Sequence, residues 1–226
     1  MQIFPIAYIE NDYKDKLAVP RQSGIVDEVV SKIRFEKAYS CREAVSGIEN
    51  FSHLWLIWEF SQNKQSGHSL TVRPPRLGGN KRVGVFSSRS PYRPNRLGLS
   101  CVRLIRVEYD EKMHPVLTVS GADLLSGTPI YDIKPYIGYS DCIPDAQSGF
   151  AEENRKNNAV VHIDENLLKK IKTPEQKKAL IKLLEQKPYP AYKNDKDRIY
   201  GLKYADYEIK FTAYEDSITV VSIENE

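Results

Sequence analysis

The sequence has few cysteines and no long apolar run, and these absences exclude several classes of protein. Its three cysteines, Cys41, Cys101 and Cys142, are far apart and include no CxxC pair, so we expect reduced, buried thiols in a cytoplasmic protein. No apolar run approaches the roughly 20 residues that a membrane-spanning helix needs. The start, MQIFPIAYIENDYKDK, lacks the basic residues and the long apolar core of a signal peptide.

Several catalytic and nucleotide-binding motifs are also absent. The sequence contains no GxxxxGK[ST] loop, no GxGxxG fingerprint after a strand, no GxSxG elbow and no HExxH pair. The four histidines never occur at ligand spacing, so we expect no metal site. The reaction therefore cannot be read from motif spacing alone.

Acidic residues are missing from one long interval, residues 60–107, although the whole chain has 30 of them. This interval carries a net charge of +10 against +3 for the entire chain, so the rest of the chain sums to −7. Its basic residues are Lys64, Arg73, Arg76, Lys81, Arg82, Arg89, Arg93, Arg96, Arg103 and Arg106. Solvated surfaces usually mix both signs, so the interval indicates an anionic partner, most simply a phosphate backbone. The alternative is a set of arginines dispersed over the surface.

The first 140 or so residues predict mainly strands, separated by clusters of proline and glycine. The candidate strands are IFPIAYIEN, VSKIRFEKAY, FSHLWLIWEF, CVRLIRVEYD and HPVLTVSGADLL. FSHLWLIWEF is nearly all apolar, which predicts a strand buried on both faces. CREAVSGIEN has room for one short helix. Many strands with few crossover helices favour a mainly β fold, either an antiparallel barrel or a sandwich.

The composition changes near Gln147, so we expect two domains, residues 1–146 and 147–226. In the second, Asp164 and Thr173 are predicted helix N-caps, and Pro174 follows as a first helical residue. The predicted buried stripe consists of Leu180, Leu183 and Leu184. The tail from residue 199 alternates well enough for a hairpin or small sheet, which makes this domain a small α+β unit.

Three segments are unusually rich in proline, glycine, arginine and polar residues: AVPRQSG (18–24), TVRPPRLGGNKRVGVFSSRSPYRPNRLGLS (71–100) and DLLSGTPIYDIKPY (123–136). Proline stiffens a loop in advance, and the planar fork of arginine suits phosphate or carboxylate. RPPR or RPNR alone is typical of an ordinary turn, but their occurrence together in the acid-free interval favours binding.

The third of these segments differs from the other two. Residues 126–129 predict a tight turn that exposes backbone amides. Asp132 and Lys134 lie two residues apart and share a strand face, as either a structural ion pair or part of a site.

Together with FSHLWLIWEF, these segments resemble the TsaA-like family of TrmO-type tRNA methyltransferases. The resemblance covers most of residues 1–145 in collinear order. The tail KPYPAYKNDKDRIYGLKYADYEIKF is similar to the family's C-terminal segment, with Tyr192, Tyr200 and Asp206 in recognisable places. The chain departs from the family pattern in having Ser61 before Gln62 in place of histidine, Ser126 in place of aspartate, and Asp-Tyr-Glu at 206–208 in place of Asp-Phe-Asn.

The resemblance implies a small antiparallel β-barrel that binds S-adenosylmethionine without a Rossmann sheet. It also implies a homodimer that methylates N6 of threonylcarbamoyladenosine at position 37, next to the tRNA anticodon. The cofactor contacts that it implies are Pro20, Arg21, Gln22, Ser61, Gln62, Arg89, Leu99, Asp123, Leu124, Leu125 and Ser126. Asp132 is the candidate base or orienting acceptor for the N6 proton, supported by Lys134 and Tyr136. The alternative for this trio is a purely structural role in the barrel.

The acid-free interval is then expected to hold the phosphates of the anticodon stem-loop, while an exposed aromatic ring stacks on an unpaired base. The candidate RNA-binding residues are Arg73, Arg76, Lys81, Arg82, Tyr92, Arg93 and Arg96. The second domain is expected to add RNA contacts, although residues 151–226 carry 14 basic and 14 acidic side chains. Two other hypotheses remain: a non-catalytic RNA-binding module, and a small-molecule S-adenosylmethionine enzyme whose cations meet a carboxylate or nucleotide.

Overall fold

The computed structural model describes residues 2–63, 69–74, 77, 81–153, 158–189 and 195–225. Six strands close into a barrel, and a short two-stranded ribbon is inserted between the third and fourth of them. The barrel strands are β1 (Ala7–Glu10), β2 (Val30–Phe35), β3 (His53–Glu59), β6 (Leu97–Tyr109), β7 (Pro115–Ser120) and β8 (Pro129–Pro135). The ribbon strands are β4 (Thr71–Val72) and β5 (Val83–Gly84). The predicted mainly β fold with an antiparallel barrel is confirmed.

The barrel strands run in the order β1-β2-β7-β6-β3-β8, every pair is antiparallel, and β8 returns to β1. Because successive barrel strands alternate in direction, the connections 11–29, 60–96 and 121–128 lie at one end, which we name the upper end. The connections 36–52 and 110–114 lie at the lower end. All three segments singled out in the sequence therefore reach the upper end, and the third continues down β8.

Strand β3 shows how the barrel interior is filled. Leu54, Leu56 and Trp58 are buried, whereas the alternate side chains, Trp55 and Ile57 among them, are half-buried. The prediction that this strand is buried on both faces was wrong. A closed barrel has one interior, and the outer face of β3 remains partly open to solvent.

The C-terminal part forms a four-stranded sheet in the order β10-β11-β12-β9, with the short β9 parallel to β12. Its strands are β9 (Val160–His162), β10 (Ile199–Tyr204), β11 (Tyr207–Tyr214) and β12 (Ser217–Asn225). The helices are α1 (Gly138–Asp141), α2 (Phe150–Glu153), α3 (Glu165–Leu168) and α4 (Pro174–Glu185).

The caps and the buried stripe of the C-terminal helices were predicted correctly. Asp164 accepts a hydrogen bond from the Asn166 amide at 2.8 Å, and Thr173 accepts one from the Gln176 amide at 3.1 Å. The side chains of Leu180, Leu183 and Leu184 are buried against the sheet. The predicted boundary between residues 146 and 147 stays a prediction.

The N-terminal connection 11–29 is packed into the C-terminal core. Tyr13, Ala18, Val26 and Val29 belong to the same apolar cluster as α4 and the four-stranded sheet. Tyr13 also forms a β-bridge with Tyr204. The chain that carries residues 20–22 therefore leaves the barrel and is held by the second sheet.

The cysteines differ from expectation. Cys41 and Cys142 are exposed and Cys101 is half-buried, so the prediction of buried thiols was wrong. In the described part of the chain, no helix is long and apolar enough to cross a membrane. The same residues contain no cluster of three or more potential metal ligands.

Candidate active site at the upper end of the barrel

Asp123 is the central acidic group at the upper end. It follows β7, and its Oδ1 accepts a hydrogen bond from the Ser100 hydroxyl at 2.5 Å. The backbone N–H of Ser23 donates a further hydrogen bond to it. Burial raises the pKa of Asp123, while the Ser100 hydrogen bond and the nearby Arg89 guanidinium oppose that rise.

Arg89 and Gln22 lie beside this carboxylate. The Arg89 guanidinium donates a hydrogen bond to the side-chain carbonyl of Gln22, and it is close enough to Asp123 to act on its pKa. Arg89 is exposed, whereas Gln22 is half-buried. The fold thus brings a carboxylate, a guanidinium and an amide together from three separate connections, although they are up to 101 residues apart in the numbering.

The loop at 20–24 is held on two sides. On the barrel side, the Gly24 amide donates to the Gly121 carbonyl at 2.8 Å, and both glycines have a positive φ, 76° and 75°. On the other side, Arg21 Nη2 donates to the Lys187 carbonyl, just after α4, at 2.8 Å. Pro20 is buried. Arg21 is therefore directed toward the C-terminal sheet.

The tight turn predicted at 126–129 is confirmed as a turn from Leu125 to Thr128, with a 3.1 Å hydrogen bond and Gly127 at φ 81°. Its amides are not exposed as predicted. The Ser126 amide donates to the Tyr13 carbonyl at 3.0 Å, and the Gly127 amide donates to the Ile9 carbonyl at 2.7 Å. The turn is therefore anchored to β1 and to the connection that follows it.

Asn11 completes this anchor, and the sequence contained no signal for it. Its Nδ2 donates to the Leu124 carbonyl at 3.0 Å, and its backbone amide donates to Ser126 Oγ at 3.3 Å. Leu124 itself is buried in the barrel core, whereas Leu125 is half-buried. Asn11 thus fixes the backbone on the C-terminal side of Asp123.

Ser61, Gln62 and Leu99 lie at the margin of this cluster. Ser61 and Gln62 are exposed in the turn after β3, and the Gln62 carbonyl accepts a hydrogen bond from Lys16 Nζ at 2.9 Å. Leu99 is 57% exposed and points out of the barrel, opposite to its inward-facing neighbour Ser100.

The candidate catalytic trio lies on the outer face of β8 and beyond its end. Asp132 and Lys134 form a 3.1 Å ion pair with side chains that are 45% and 63% exposed. The Tyr136 amide donates to the His53 carbonyl at 3.0 Å, which places Tyr136 at the lower end. The trio is therefore not joined to Asp123.

Asp132 nevertheless shares a surface with one predicted cofactor residue. Asp132 on β8 and Leu99 on β6 are the two cross-strand neighbours of Ile57, so the three side chains share the outer face.

The candidate RNA-binding cations fall into two groups. Arg73, Lys81 and Arg82 are exposed on or next to the β4–β5 ribbon, and Arg82 donates to Thr71 Oγ1 at 2.8 Å. Arg76 lies outside the described residues. Arg93 instead supports its own loop, because Nη1 donates to the carbonyls of Val85 at 3.2 Å and Ser88 at 2.6 Å.

Acids from outside the interval match part of its charge. Arg96 pairs with Glu59 at 3.0 Å, and Arg106 pairs with Glu108 at 2.9 Å. Tyr131 also donates to Glu59 at 2.7 Å, and burial together with this carboxylate raises the pKa of Tyr131 to about 12. Glu59 and Glu108 therefore neutralise part of the positive charge of the interval. Neither ion pair involves the ribbon cations Arg73, Lys81 and Arg82.

Two exposed aromatic rings accompany these cations. Tyr92 is 40% exposed and Phe86 is 75% exposed. The Arg93 guanidinium carbon lies 5.9 Å from the Phe86 ring centroid. Sequence reasoning singled out Tyr92 and missed Phe86, although an aromatic residue inside a cationic loop was a usable signal.

A separate open cavity of about 540 Å³ lies near the lower end, between the connection 36–52 and the end of β6. Arg42, Phe51, Leu104, Arg106 and Tyr109 are among its lining residues. It contains none of the residues predicted to bind cofactor or RNA, so the upper-end cluster remains the candidate site.

Family models and sequence relatives match both the barrel and the C-terminal sheet of this chain. The tRNA-methyltransferase O N-terminal domain matches residues 8–142, and the TrmO C-terminal domain matches residues 157–226. The tRNA (adenine(37)-N6)-methyltransferase of Escherichia coli K12 is 35% identical over 230 residues, which cover 99% of this chain and 97% of that protein. A putative S-adenosylmethionine-dependent methyltransferase, RcsF of Pseudomonas aeruginosa, is 42% identical over 165 residues, covering 73% and 67% of the two chains.

Solved structures give the same result for the fold. The crystal structure of TrmO from Pseudomonas aeruginosa superimposes with a TM-score of 0.77 at 28% identity, covering 100% of this chain and 99% of that one. Two matching domains in the same order, together with full-length structural similarity, place the barrel and the C-terminal sheet in one known architecture. The chain belongs to the tRNA-methyltransferase O (TrmO) family.

Proposed function

We propose that this chain transfers a methyl group from S-adenosylmethionine to N6 of threonylcarbamoyladenosine at position 37 of tRNA. The observation that carries the proposal is the cluster at the upper end, where Gln22, Arg89 and Asp123 meet. These are positions that the family resemblance assigns to the cofactor, and they come from three different connections. Relatives named as tRNA (adenine(37)-N6)-methyltransferases support the position and atom of the modification.

The side chains of this cluster fit the chemistry of the cofactor. S-adenosylmethionine carries a carboxylate, an ammonium group and ribose hydroxyls. The Arg89 guanidinium suits the carboxylate, and the Asp123 carboxylate suits the ammonium group or a hydroxyl. A carboxylate offers about four acceptor positions, and the Ser100 hydroxyl and the backbone amides of Ser23 and Asp123 use three of them, so Asp123 keeps capacity for a ligand.

The cofactor supplies a methyl group on a positively charged sulfur, and that charge is lost when the methyl group leaves. Arg89, Gln22 and Asp123 bind and orient it, and correct alignment supplies much of the rate acceleration in such a displacement. Asp132 accepts the proton from N6, and Lys134 is the ion-pair partner of its carboxylate at 3.1 Å. The threonylcarbamoyl group makes the N6 proton more acidic than that of adenine, which makes its removal easier.

The exposed cations of the ribbon bind the tRNA in this proposal. Arg73, Lys81 and Arg82 contact phosphates of the anticodon stem-loop, while Tyr92 and Phe86 offer rings on which an unpaired base can stack. The proposal includes a homodimer in the cytoplasm, and a C-terminal domain that adds tRNA contacts.

The test is nucleoside mass spectrometry of tRNA from cells with and without the gene. We expect the methylated form of threonylcarbamoyladenosine in the first and the unmethylated form in the second. Re-expression of the wild-type gene should restore the methyl group, and an Asp123→Asn variant should not. An identical nucleoside profile in both strains would overturn the proposal.

Two simple measurements separate the rival functions. A non-catalytic RNA-binding module should show no thermal stabilisation by S-adenosylmethionine, whereas we expect a rise in melting temperature that saturates with cofactor. A small-molecule enzyme should bind its substrate with little dependence on salt. We expect tRNA affinity to fall steeply with salt, because cations release counterions from phosphates.

A further inference from the structure

Trp58 and Ser100 connect the interior of the barrel to Asp123. The Trp58 indole N–H donates to Ser100 Oγ at 2.9 Å, and Ser100 Oγ donates to Asp123 Oδ1 at 2.5 Å. Trp58 is 6% exposed and Ser100 is 1% exposed. Most interior positions in the described barrel strands are filled by apolar side chains such as Val102, two residues further along β6, and Ser31 on β2 is the other buried serine on an inward face.

The direction of this chain of hydrogen bonds is fixed by chemistry. An indole N–H can donate but not accept, and a serine hydroxyl has a single proton. Because Ser100 accepts from Trp58, its own proton is free to point at Asp123. The hydrogen bonds therefore run from Trp58 through Ser100 to the Asp123 carboxylate. Trp58 orients the Ser100 hydroxyl, and Ser100 orients the carboxylate.

Gly98 determines the position of the Trp58 indole ring, which is the first donor in this chain of hydrogen bonds. Gly98 and Trp58 are directly opposite each other on β6 and β3. A Cβ atom added to Gly98 would lie 2.4 Å from Cε2 of Trp58, so the indole ring rests on the glycine backbone. Phe60 packs against the Trp58 ring in an edge-on arrangement, with 4.4 Å between the ring centroids. The stretch at 98–100 thus directs Gly98 and Ser100 inward and Leu99 outward.

We propose that Trp58 and Ser100 are positioning residues of the cofactor site, which hold the Asp123 carboxylate where it faces Arg89 and bound S-adenosylmethionine. The inference rests on the proposed function in one respect, namely that Asp123 contacts the cofactor. A buried serine in an apolar interior is costly unless its hydroxyl is bonded, and here both of its hydrogen bonds belong to the chain of hydrogen bonds to Asp123. In this proposal Ser100 and Trp58 act through Asp123 and not through a contact of their own with the cofactor or the tRNA.

The first test measures binding of S-adenosylhomocysteine, the demethylated cofactor, by calorimetry. We expect Ser100→Ala to weaken binding about tenfold, the usual size of a hydrogen bond to a charged group, and Trp58→Phe to weaken it by a smaller factor, because Trp58 donates to the neutral Ser100 hydroxyl. The double variant should be no weaker than Ser100→Ala alone, because the two residues act in series. Val102→Ala is the control: it removes buried methyl groups from the same strand, so it should lower stability and leave affinity unchanged.

The second test needs no cofactor. The two tryptophans, Trp55 and Trp58, give two indole N–H signals in a ¹⁵N correlation spectrum, and Trp55→Phe assigns them. Trp55 donates to Asp141 at 3.0 Å, so it is a built-in reference. We expect Asp123→Asn to shift the Trp58 signal and to leave the Trp55 signal in place.

Three results would overturn the inference: additive losses in the double variant, an equal loss of affinity in Val102→Ala, or a Trp58 signal that does not respond to Asp123→Asn. These outcomes are separable from failure of the proposed function. If the variants behave as expected and the wild type methylates no tRNA, the tRNA reaction is wrong and the positioning role stands. If the wild type methylates tRNA and Ser100→Ala binds cofactor normally, the positioning role is wrong and the reaction stands. A wild type that binds no S-adenosylhomocysteine would overturn both.

Discussion

The two polar clusters of the barrel differ in how their carboxylates are held. Asp123 at the upper end is half-buried and is bonded to Ser100 and to a backbone amide. Asp132 on the outer face pairs with Lys134, and both side chains are about half exposed or more. A buried, hydrogen-bonded carboxylate is fixed before any ligand arrives, whereas an exposed ion pair contributes little to stability and can rearrange. The first arrangement suits binding, and the second suits a group that must exchange a proton.

The largest expected effect concerns the outer cluster. If Asp132 is the base, Asp132→Asn should lower kcat on threonylcarbamoylated tRNA about 100-fold or more, which is typical of a lost general base. Its affinity for S-adenosylhomocysteine should stay unchanged, because Asp132 is not joined to Asp123. Single-turnover kinetics and calorimetry on the same protein measure both quantities. A normal kcat would leave the Asp132–Lys134 pair with a purely structural role.

Arg89→Ala tests the upper cluster. Arg89 is exposed and contacts Gln22, so the loss of its side chain should cost little stability. Loss of a charged partner for the cofactor carboxylate should weaken binding about 10- to 100-fold. Melting temperature and cofactor affinity, measured on the same variant, distinguish a role of Arg89 in cofactor binding from a role in stability. An unchanged melting temperature together with unchanged affinity would remove Arg89 from the site.

Gly121→Ala should disturb the same cluster through the backbone. A Cβ atom at Gly121 would lie 2.8 Å from Asp27 Oδ1 and 3.3 Å from the Cα and N atoms of Gly24, so the Asp27 side chain must shift and the Gly24 backbone must give way by a few tenths of an ångström. We expect about a tenfold loss of cofactor affinity, since one hydrogen-bonded loop is displaced. Gly149→Ala is the matched control, because Gly149 also has a positive φ and nothing lies within 4 Å of its added Cβ. Equal losses in both variants would attribute the effect to backbone strain alone.

The smallest effect is a shift in pH dependence. If S-adenosylmethionine binds the ionised form of Asp123, as proposed, affinity should fall as the pH drops through the pKa of Asp123, which burial raises above the ordinary value. The Ser100 hydrogen bond lowers the pKa of Asp123, so Ser100→Ala should move the loss of affinity to higher pH. Calorimetry across a pH series measures the shift. A shift to lower pH would contradict the arrangement at Asp123.

Much of this architecture was accessible from the sequence because local patterns determine it. Runs of strand-forming residues separated by proline and glycine clusters predicted most of the barrel strands, and the capping side chains of Asp164 and Thr173 predicted the starts of their helices. Antiparallel alternation of the strands then brings three distant segments to one end of the barrel.

The parts that the sequence did not reveal depend on long-range contacts. Packing of Tyr13 into the C-terminal core, the use of the Gly127 amide by Ile9, and the pairing of Arg96 with Glu59 each join residues far apart in the chain. Ser100 was not singled out in the sequence, because its inward position on β6 is set by the fold. Its partners became known only from the fold.

Methyl transfer by the purified protein tests the central claim most directly. The reaction contains S-adenosylmethionine with a deuterated methyl group and two preparations of one tRNA, with and without the threonylcarbamoyl group at adenosine 37. We predict a labelled methyl group on threonylcarbamoyladenosine in the first preparation, and far less label on the unmodified adenosine in the second. Labelling of another nucleoside, or of neither tRNA by a protein that binds the cofactor, would contradict the account.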